Sequence, residues 1–235
     1  LEELLVRAPR RIEASCPYYE QCGGCQLQHL TYEDQLATKQ QQIVDALRKI
    51  GGLDDLPLHP IIGAGETLAY RNKMVFHLTR RDGRVSLSLV GRGGSQQVHI
   101  QSCLIFDCRA NALLPSLNEA LTEMFGSGPD TRPRDSFGHL MLRIGVGTGH
   151  VMVVLGVAEP ELAQSQQRQR WRPLIEVLPP DSSIWFNLMR RPWDEHFGRD
   201  YHHVAGPQQL RESVRGFDYG LLPETFFQTN SQQAA

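Results

Sequence analysis

Lysine is scarce in this 235-residue chain. Three of its 24 basic residues are lysine and 21 are arginine, and 26 acidic residues leave a formal net charge of −2. That balance argues against a non-specific polyanion coat but leaves room for a local basic face. Long apolar runs are missing: none approaches the roughly 20 residues that span a bilayer, which excludes a transmembrane helix. Residues 1–11 hold no apolar segment of the secretory kind. The chain does not open on methionine, so a processed or truncated start is expected. No internal repeat is visible at any period. Cysteine is limited to five residues, an odd number, and a chain of this length forms a normal core without a disulfide framework.

What is present is ordinary for a soluble globular protein, with 40% hydrophobic and 21% charged residues. One domain or two small ones, cytoplasmic, are expected. A helix is predicted from about Thr31 to Ile50. Thr31 caps it, Asp34 stands in the capping-box place, Leu36, Ile43, Val44 and Leu47 fall on one face, and Gly51-Gly52 ends it. Pro57 and Pro60 mark a linker. Strands are predicted over 70–79, 85–90 and 97–101, the first two joined through Asp82-Gly83, a hairpin signal. A helix over 111–125 follows, then a Gly/Pro-rich loop over 126–137 and strands over 140–146 and 151–157. A helix over 160–177 and strands over 184–189 and within 211–221 complete the chain. This order of adjacent hairpins argues for an α+β fold with a largely antiparallel sheet, not for a doubly wound nucleotide fold.

The chemistry concentrates in residues 16–30, CPYYEQCGGCQLQHL. Cys16, Cys22 and Cys25 are spaced Cys-x5-Cys-x2-Cys, and Gly23-Gly24 allows a tight bend between sulfurs. Thiolates select zinc or an iron–sulfur cluster, and either needs a fourth ligand, for which Cys103 and Cys108 are the candidates. The spacing leaves both metals open and is not the Cys-x3-Cys-x2-Cys of radical enzymes. A second signal is charge: from Arg71 to Arg92 six basic residues face one acid, Asp82. With Arg7, Arg10 and Arg11 they suggest RNA contact, with Tyr18, Tyr19, Tyr70 and Phe226 as stacking rings. Three other features are read blandly. Gly145-x-Gly147-x-Gly149 lacks the dinucleotide spacing and is taken as a hairpin turn. His202-His203 is taken as a surface pair, and Trp171, Trp185 and Trp193 as packing anchors.

Four segments together resemble the iron–sulfur branch of bacterial RNA (uracil-5-)-methyltransferases, which make 5-methyluridine, typically in 23S rRNA. They are CPYYEQCGGCQLQHLTYEDQLATKQQQIVDAL, YRNKMVFHL, VHIQSCLIFDCRANALLP and FFQTN, in that order. The resemblance implies that Cys16, Cys22, Cys25 and Cys103 ligate a [4Fe–4S] cluster, with Cys108 surplus. It implies that Gln228 contacts S-adenosyl-L-methionine. RNA would meet Tyr70, Arg71, Lys73, Arg80, Arg81, Arg92 and Phe226. Residues 1–15 would be the tail of a preceding RNA-binding β-barrel and 16–56 the cluster loop and helix. Residues 57–222 would form a central α+β domain, and 223–235 the start of a Rossmann-like methyltransferase domain that is mostly absent. The glycine-rich cofactor motif and the cysteine that attacks uracil C6 do not occur, so the chain reads as a fragment, inactive alone. No membrane and no obligate protein partner are implied. The competing functions are a non-catalytic, metal-dependent RNA-binding module and a zinc-stabilised structural domain.

Overall fold

The computed structural model describes residues 6, 8–55, 57–94, 96–130, 137–160, 168–191 and 197–235. Two compact units divide them, Leu1–Glu20 with Cys25–Thr67, and Gln21–Gly24 with Leu68–Ala235.

The first unit is built on helix α1, Tyr32–Lys49. Thr31 caps it as expected: its hydroxyl accepts from the Asp34 N–H at 3.2 Å and donates to the Asp34 carboxylate at 2.8 Å. Acidic Glu33 and Asp34 open the helix and basic Arg48 and Lys49 close it, each complementing the dipole. The expected apolar face holds in part. Leu36, Val44 and Leu47 are half-buried, whereas Ile43 is 55% exposed and no residue of α1 is fully buried. By the helical repeat Ile43 stands on the same face as Leu36 and Leu47, so its exposure is not set by its place around the helix.

The second unit is a seven-stranded sheet. Its strands are β1 Lys73–Arg81, β2 Arg84–Val90, β3 Gln97–His99, β4 Gly138–Ile144, β5 Val151–Val157, β6 Ser183–Leu188 and β7 Asp200–Ala205. Their order across the sheet is β3-β2-β1-β4-β5-β6-β7. Every pairing is antiparallel except β5 with β6. Helix α4, Arg168–Val177, lies between those two in sequence, because parallel neighbours need a crossover connection. The Asp82-Gly83 turn is as read from the sequence: Arg81 pairs with Arg84, and both turn residues have positive φ, 53° and 75°. That is the primed turn whose twist matches the strands.

Even-numbered β1 side chains, Phe76 and Leu78, leave the sheet with Leu140 and Leu142 of β4 on one face. Helix α3, Leu114–Phe125, packs against β2 and α4, and the short α2, Cys108–Asn111, precedes it. The opposite face carries Met141, Met152, Val154 and Trp185, packed with Leu210 and Leu221. These last two come from the separate hairpin of β8, Leu210–Val214, and β9, Phe217–Leu221. Burial on both faces is what makes β5, and β4 apart from His139 and Arg143, read as continuous apolar runs. Strand β3 is too short to cover the whole edge of β2. The edge amides of Val85 and Leu87, buried with their residues, are met instead by Thr122 Oγ1 and Asn118 Oδ1 of α3, at 3.1 and 2.9 Å, which blunts an edge that would otherwise template association.

Two expectations need correction. Residues 200–205 form a strand that was not foreseen. The helix expected over 111–125 starts only at Leu114, and Asn111 instead ends the separate short helix α2. Asn111 is diverted to hold the preceding turn: its amide bonds the Cys103 N–H, the Cys103 carbonyl and the Phe106 carbonyl at 2.7 to 3.0 Å.

Candidate functional site

The tetrapeptide Tyr70-Arg71-Asn72-Lys73 at the entry to β1 is the hub of the second unit. Ala69 and Arg71 donate to the carbonyls of Leu104 and Ile105, both at 2.8 Å, and Asp107 donates to the Arg71 carbonyl at 3.0 Å. On the other side Asn72 donates to the Thr229 carbonyl at 2.8 Å, and Arg71 bridges to Asn230. The Asn72 side-chain amide reaches the Gln228 carbonyl and Ser231 Oγ, each at 2.8 Å. One short stretch therefore joins the turn after Cys103 to the Phe226–Asn230 segment, more than 120 residues further on.

A buried polar network continues from there. Ser231 Oγ donates to Glu212 at 3.0 Å, and the same carboxylate accepts from the amides of Val146, Gly147 and Ser213 at 2.8 to 2.9 Å. The amides of the Gly145–Gly149 loop are thus partly taken by the protein's own carboxylate, in keeping with a hairpin turn. Alternation along the terminal segment exposes Phe226 (78%) and Gln228 while Phe227 packs on the core. The Gln228 side chain has no hydrogen-bond partner among the described residues and is presented outward; its backbone is what Asn72 holds.

Arg143, on β4 directly opposite Lys73, is the charged group that sequence reasoning missed. It is 1% exposed. One guanidinium nitrogen donates to the Thr225 carbonyl at 2.9 Å, and Nε and Nη1 have no partner. Burial holds its pKa down. Burial, then the charges of Arg143 and Arg71, also lower the Lys73 ammonium. The signal was one arginine inside the apolar run LMLRIGV.

The other candidate RNA residues divide by how they are engaged. Arg80 donates to the carbonyls of Gly126 and Phe125 at the end of α3 and lies over the Phe137 ring, so it is built into the fold. Arg81 is exposed beside Asp82, and Arg92 is exposed with its backbone amide on the Gln21 carbonyl. Arg84 pairs with Glu119 and Arg10 with Asp34. Arg7 and Trp193 lie outside the described residues. Tyr19 is buried, its hydroxyl donating to the Gln26 carbonyl at 2.6 Å and meeting His29 Nδ1 at 2.5 Å; it braces the cysteine loop rather than offering a ring. Trp171 and Trp185 are buried anchors and His202 and His203 are exposed.

None of the five cysteines is in a disulfide; Cys16, Cys22, Cys25 and Cys103 are half-buried and Cys108 is exposed. Reduced, half-buried thiols suit a thiolate-bound centre chemically. Among the described residues, however, no three His, Cys, Asp or Glu side chains are gathered into a group able to hold a metal. Cys16 and Cys25 belong to the first unit, Cys22 and Cys103 to the second. Neither Gly23 nor Gly24 has positive φ. Gly23 serves a close approach instead: its amide bonds the Val90 carbonyl at 3.0 Å, and a Cβ there would stand 3.0 Å from that oxygen.

No protein-family model matches the chain. It is 35% identical over its whole length to an uncharacterized RNA methyltransferase of Synechocystis sp., covering 50% of that protein. It is 31% identical over 99% of its length to an uncharacterized RNA methyltransferase of Bacillus cereus, again covering 50%. Among solved structures it matches the tRNA (uracil-54, C5)-methyltransferase of Pyrococcus abyssi in complex with S-adenosyl-L-homocysteine. That match has a TM-score of 0.69 and 26% identity, over 99% of this chain and 50% of that one. The chain spans about half the length of the curated relatives it matches. No helix among the described residues is long and apolar enough to cross a membrane.

Proposed function

We propose that this chain is the RNA-contacting part of an S-adenosyl-L-methionine-dependent RNA (uracil-5-)-methyltransferase. One observation carries the reading: the Tyr70–Lys73 hub ties the Cys103 turn to the Phe226–Asn230 segment. Three segments that resemble this family in sequence thereby meet at one place, in a chain similar to proteins named RNA methyltransferases. The target uridine must leave its stack to react. The exposed Phe226 ring and Tyr70 offer it stacking surfaces, and Arg71, Lys73, Arg81 and Arg92 steer the backbone by charge. The outward Gln228 amide contacts S-adenosyl-L-methionine, whose methyl sulfonium is the electrophile when bound. Neither the thiolate that adds to C6 nor the base that removes the C5 proton is assigned to a residue here, so the chain alone binds without turnover. Cys16, Cys22, Cys25 and Cys103 would hold a [4Fe–4S] cluster, a reading that rests on the family resemblance, since their spacing alone suits zinc as well. Methyl transfer moves an electron pair and asks no electron of such a centre.

The test is direct. The chain, purified without oxygen, is expected to be brown, to absorb near 400 nm (an approximate property of the cluster class), and to shift a uridine-containing RNA in a salt-dependent manner. With labelled methyl donor it is expected to leave that RNA unmethylated. Absence of RNA binding defeats the central reading, turnover defeats the assigned incompleteness, and a colourless zinc protein defeats the cluster. The resemblance favours 23S rRNA, while the Pyrococcus abyssi protein is named for tRNA; competition between fragments of the two RNAs ranks them.

A further inference from the structure

Arg143 is a buried charge with no counter-charge. Two of its three guanidinium nitrogens are without partners, and among the described residues no ion pair involves Arg71, Lys73 or Arg143. An unsatisfied group of this kind, in a folded protein, asks for an explanation. Lys73 and Arg143 are directly paired across antiparallel strands, so both side chains leave the same face about 5 Å apart at Cβ. Arg71 adds a third positive charge, close enough to Lys73 to act on it, and spends its Nε on the Lys73 carbonyl at 3.0 Å. Lys73 and Arg71 are half-buried, whereas Arg143 is fully buried. The cluster is rigidly placed. β1 and β4 are paired over six residues from Lys73. The Leu222–Thr225 turn, closed by reciprocal 3.0 Å bonds between Leu222 and Thr225, fixes the carbonyl that Arg143 holds. The next residue is the exposed Phe226.

We propose that Arg71, Lys73 and Arg143 form an oxyanion site that takes a backbone phosphate of the RNA strand, seating the nucleotide offered to Phe226 and Gln228. This rests on the RNA reading above. Arg143 is the floor, a fixed charge that deepens the local field, and Lys73 and Arg71 are the mouth. Phosphate chemistry fits because a phosphodiester brings a permanent negative charge and several acceptor oxygens to a cluster of three positive groups that holds no counter-charge.

The three lysines of the chain make the test clean. With lysine labelled at Cε, Lys73 is one of three resonances and is identified by the Lys73→Met variant. Inorganic phosphate and a short oligouridylate are each expected to move the Lys73 signal and raise its titration midpoint. Arg143→Met removes a buried charge while keeping a long apolar chain, so the melting temperature stays level or rises, whereas phosphate and oligouridylate affinity fall about tenfold. Should Arg143→Met not fold, Lys73→Met carries the test, lowering the salt slope of oligouridylate binding by about 0.7. Oligouridylate binding with Lys73 unmoved, or equal binding by the variants, overturns the site and leaves the RNA reading standing. Phosphate moving Lys73 while no RNA binds overturns the RNA reading and leaves an oxyanion site. A Lys73 signal moved by S-adenosyl-L-homocysteine and not by phosphate assigns the charges to the methyl donor's carboxylate and defeats the phosphate assignment.

Discussion

At the scale of single residues, Glu212 and His77 make the most exposed claims. Glu212 is 1% exposed and accepts four hydrogen bonds, three from backbone amides. Glu212→Ala strands those donors, each worth about 1–3 kcal/mol when buried and unmet, so a loss of about 3 kcal/mol or more is expected in urea unfolding. A loss under about 0.5 kcal/mol, the scale of an inert surface change, removes the network from the account of stability. His77 lies on β1 with its ring 4.6 Å from that of His139. Burial, then the charge of His139, lower its pKa from 6.5 to about 4. The folded state therefore binds fewer protons than the unfolded chain between these values. Stability is present at neutral pH and falls as pH drops from about 6.5 towards 4. Urea midpoints at several pH values check this, and His77→Gln is expected to flatten the fall. Among the candidate residues, sequence reasoning selected Arg71, Lys73, Phe226 and Gln228 from motifs but passed over Arg143 and Glu212. Arg143 was marked only by the apolar run around it, and Glu212, in the mixed segment LRESV, carries no such mark; its neighbours in space decide its burial.

At the scale of elements, local chemistry and long-range packing part company. The α1 cap and the Asp82-Gly83 turn were legible because each is decided within four residues. Gly83→Ala tests the turn: φ of 75° strains any side chain, and a loss of about 1 kcal/mol is expected from thermal melts. Gly23→Ala tests an element no pattern could show, the pairing of residues 21–24 with the end of β2. A Cβ at 3.0 Å from the Val90 oxygen and 3.1 Å from that of Gly91 pushes the strands apart, so faster amide exchange at Gly23 and Arg92 is expected. Unchanged exchange would refute the contact. Strand β7, DYHHVA, escaped notice because an edge strand with exposed histidines lacks the apolar alternation that marks a half-buried one. The direction of β6 was equally hidden. An apolar run is compatible with either orientation, and β6 is set parallel to β5 by the helix that connects them.

At the scale of the whole molecule, charge makes a measurable prediction about RNA. Arg80 is committed to the end of α3 and Arg84 to Glu119, which leaves Arg71, Lys73, Arg81 and Arg92 as the proposed phosphate contacts. Four contacts on a single strand imply a log–log salt slope near −3, about 0.7 for each. Arg80→Ala is expected to lower thermal stability without changing that slope, and a changed slope would return Arg80 to the RNA face. The sequence alone determined the α+β class, the largely antiparallel sheet and the position of the hairpin turn, because hydrophobic period and turn chemistry act over a few neighbouring residues. It also marked the three segments that matter. Only the tertiary structure decided that Arg71 and Asn72 join the Cys103 turn to Thr229 and Asn230, and that Arg143 is buried without a partner. Those are contacts between residues far apart in the chain, and a linear pattern holds no information on which distant backbone will arrive to accept a given hydrogen bond.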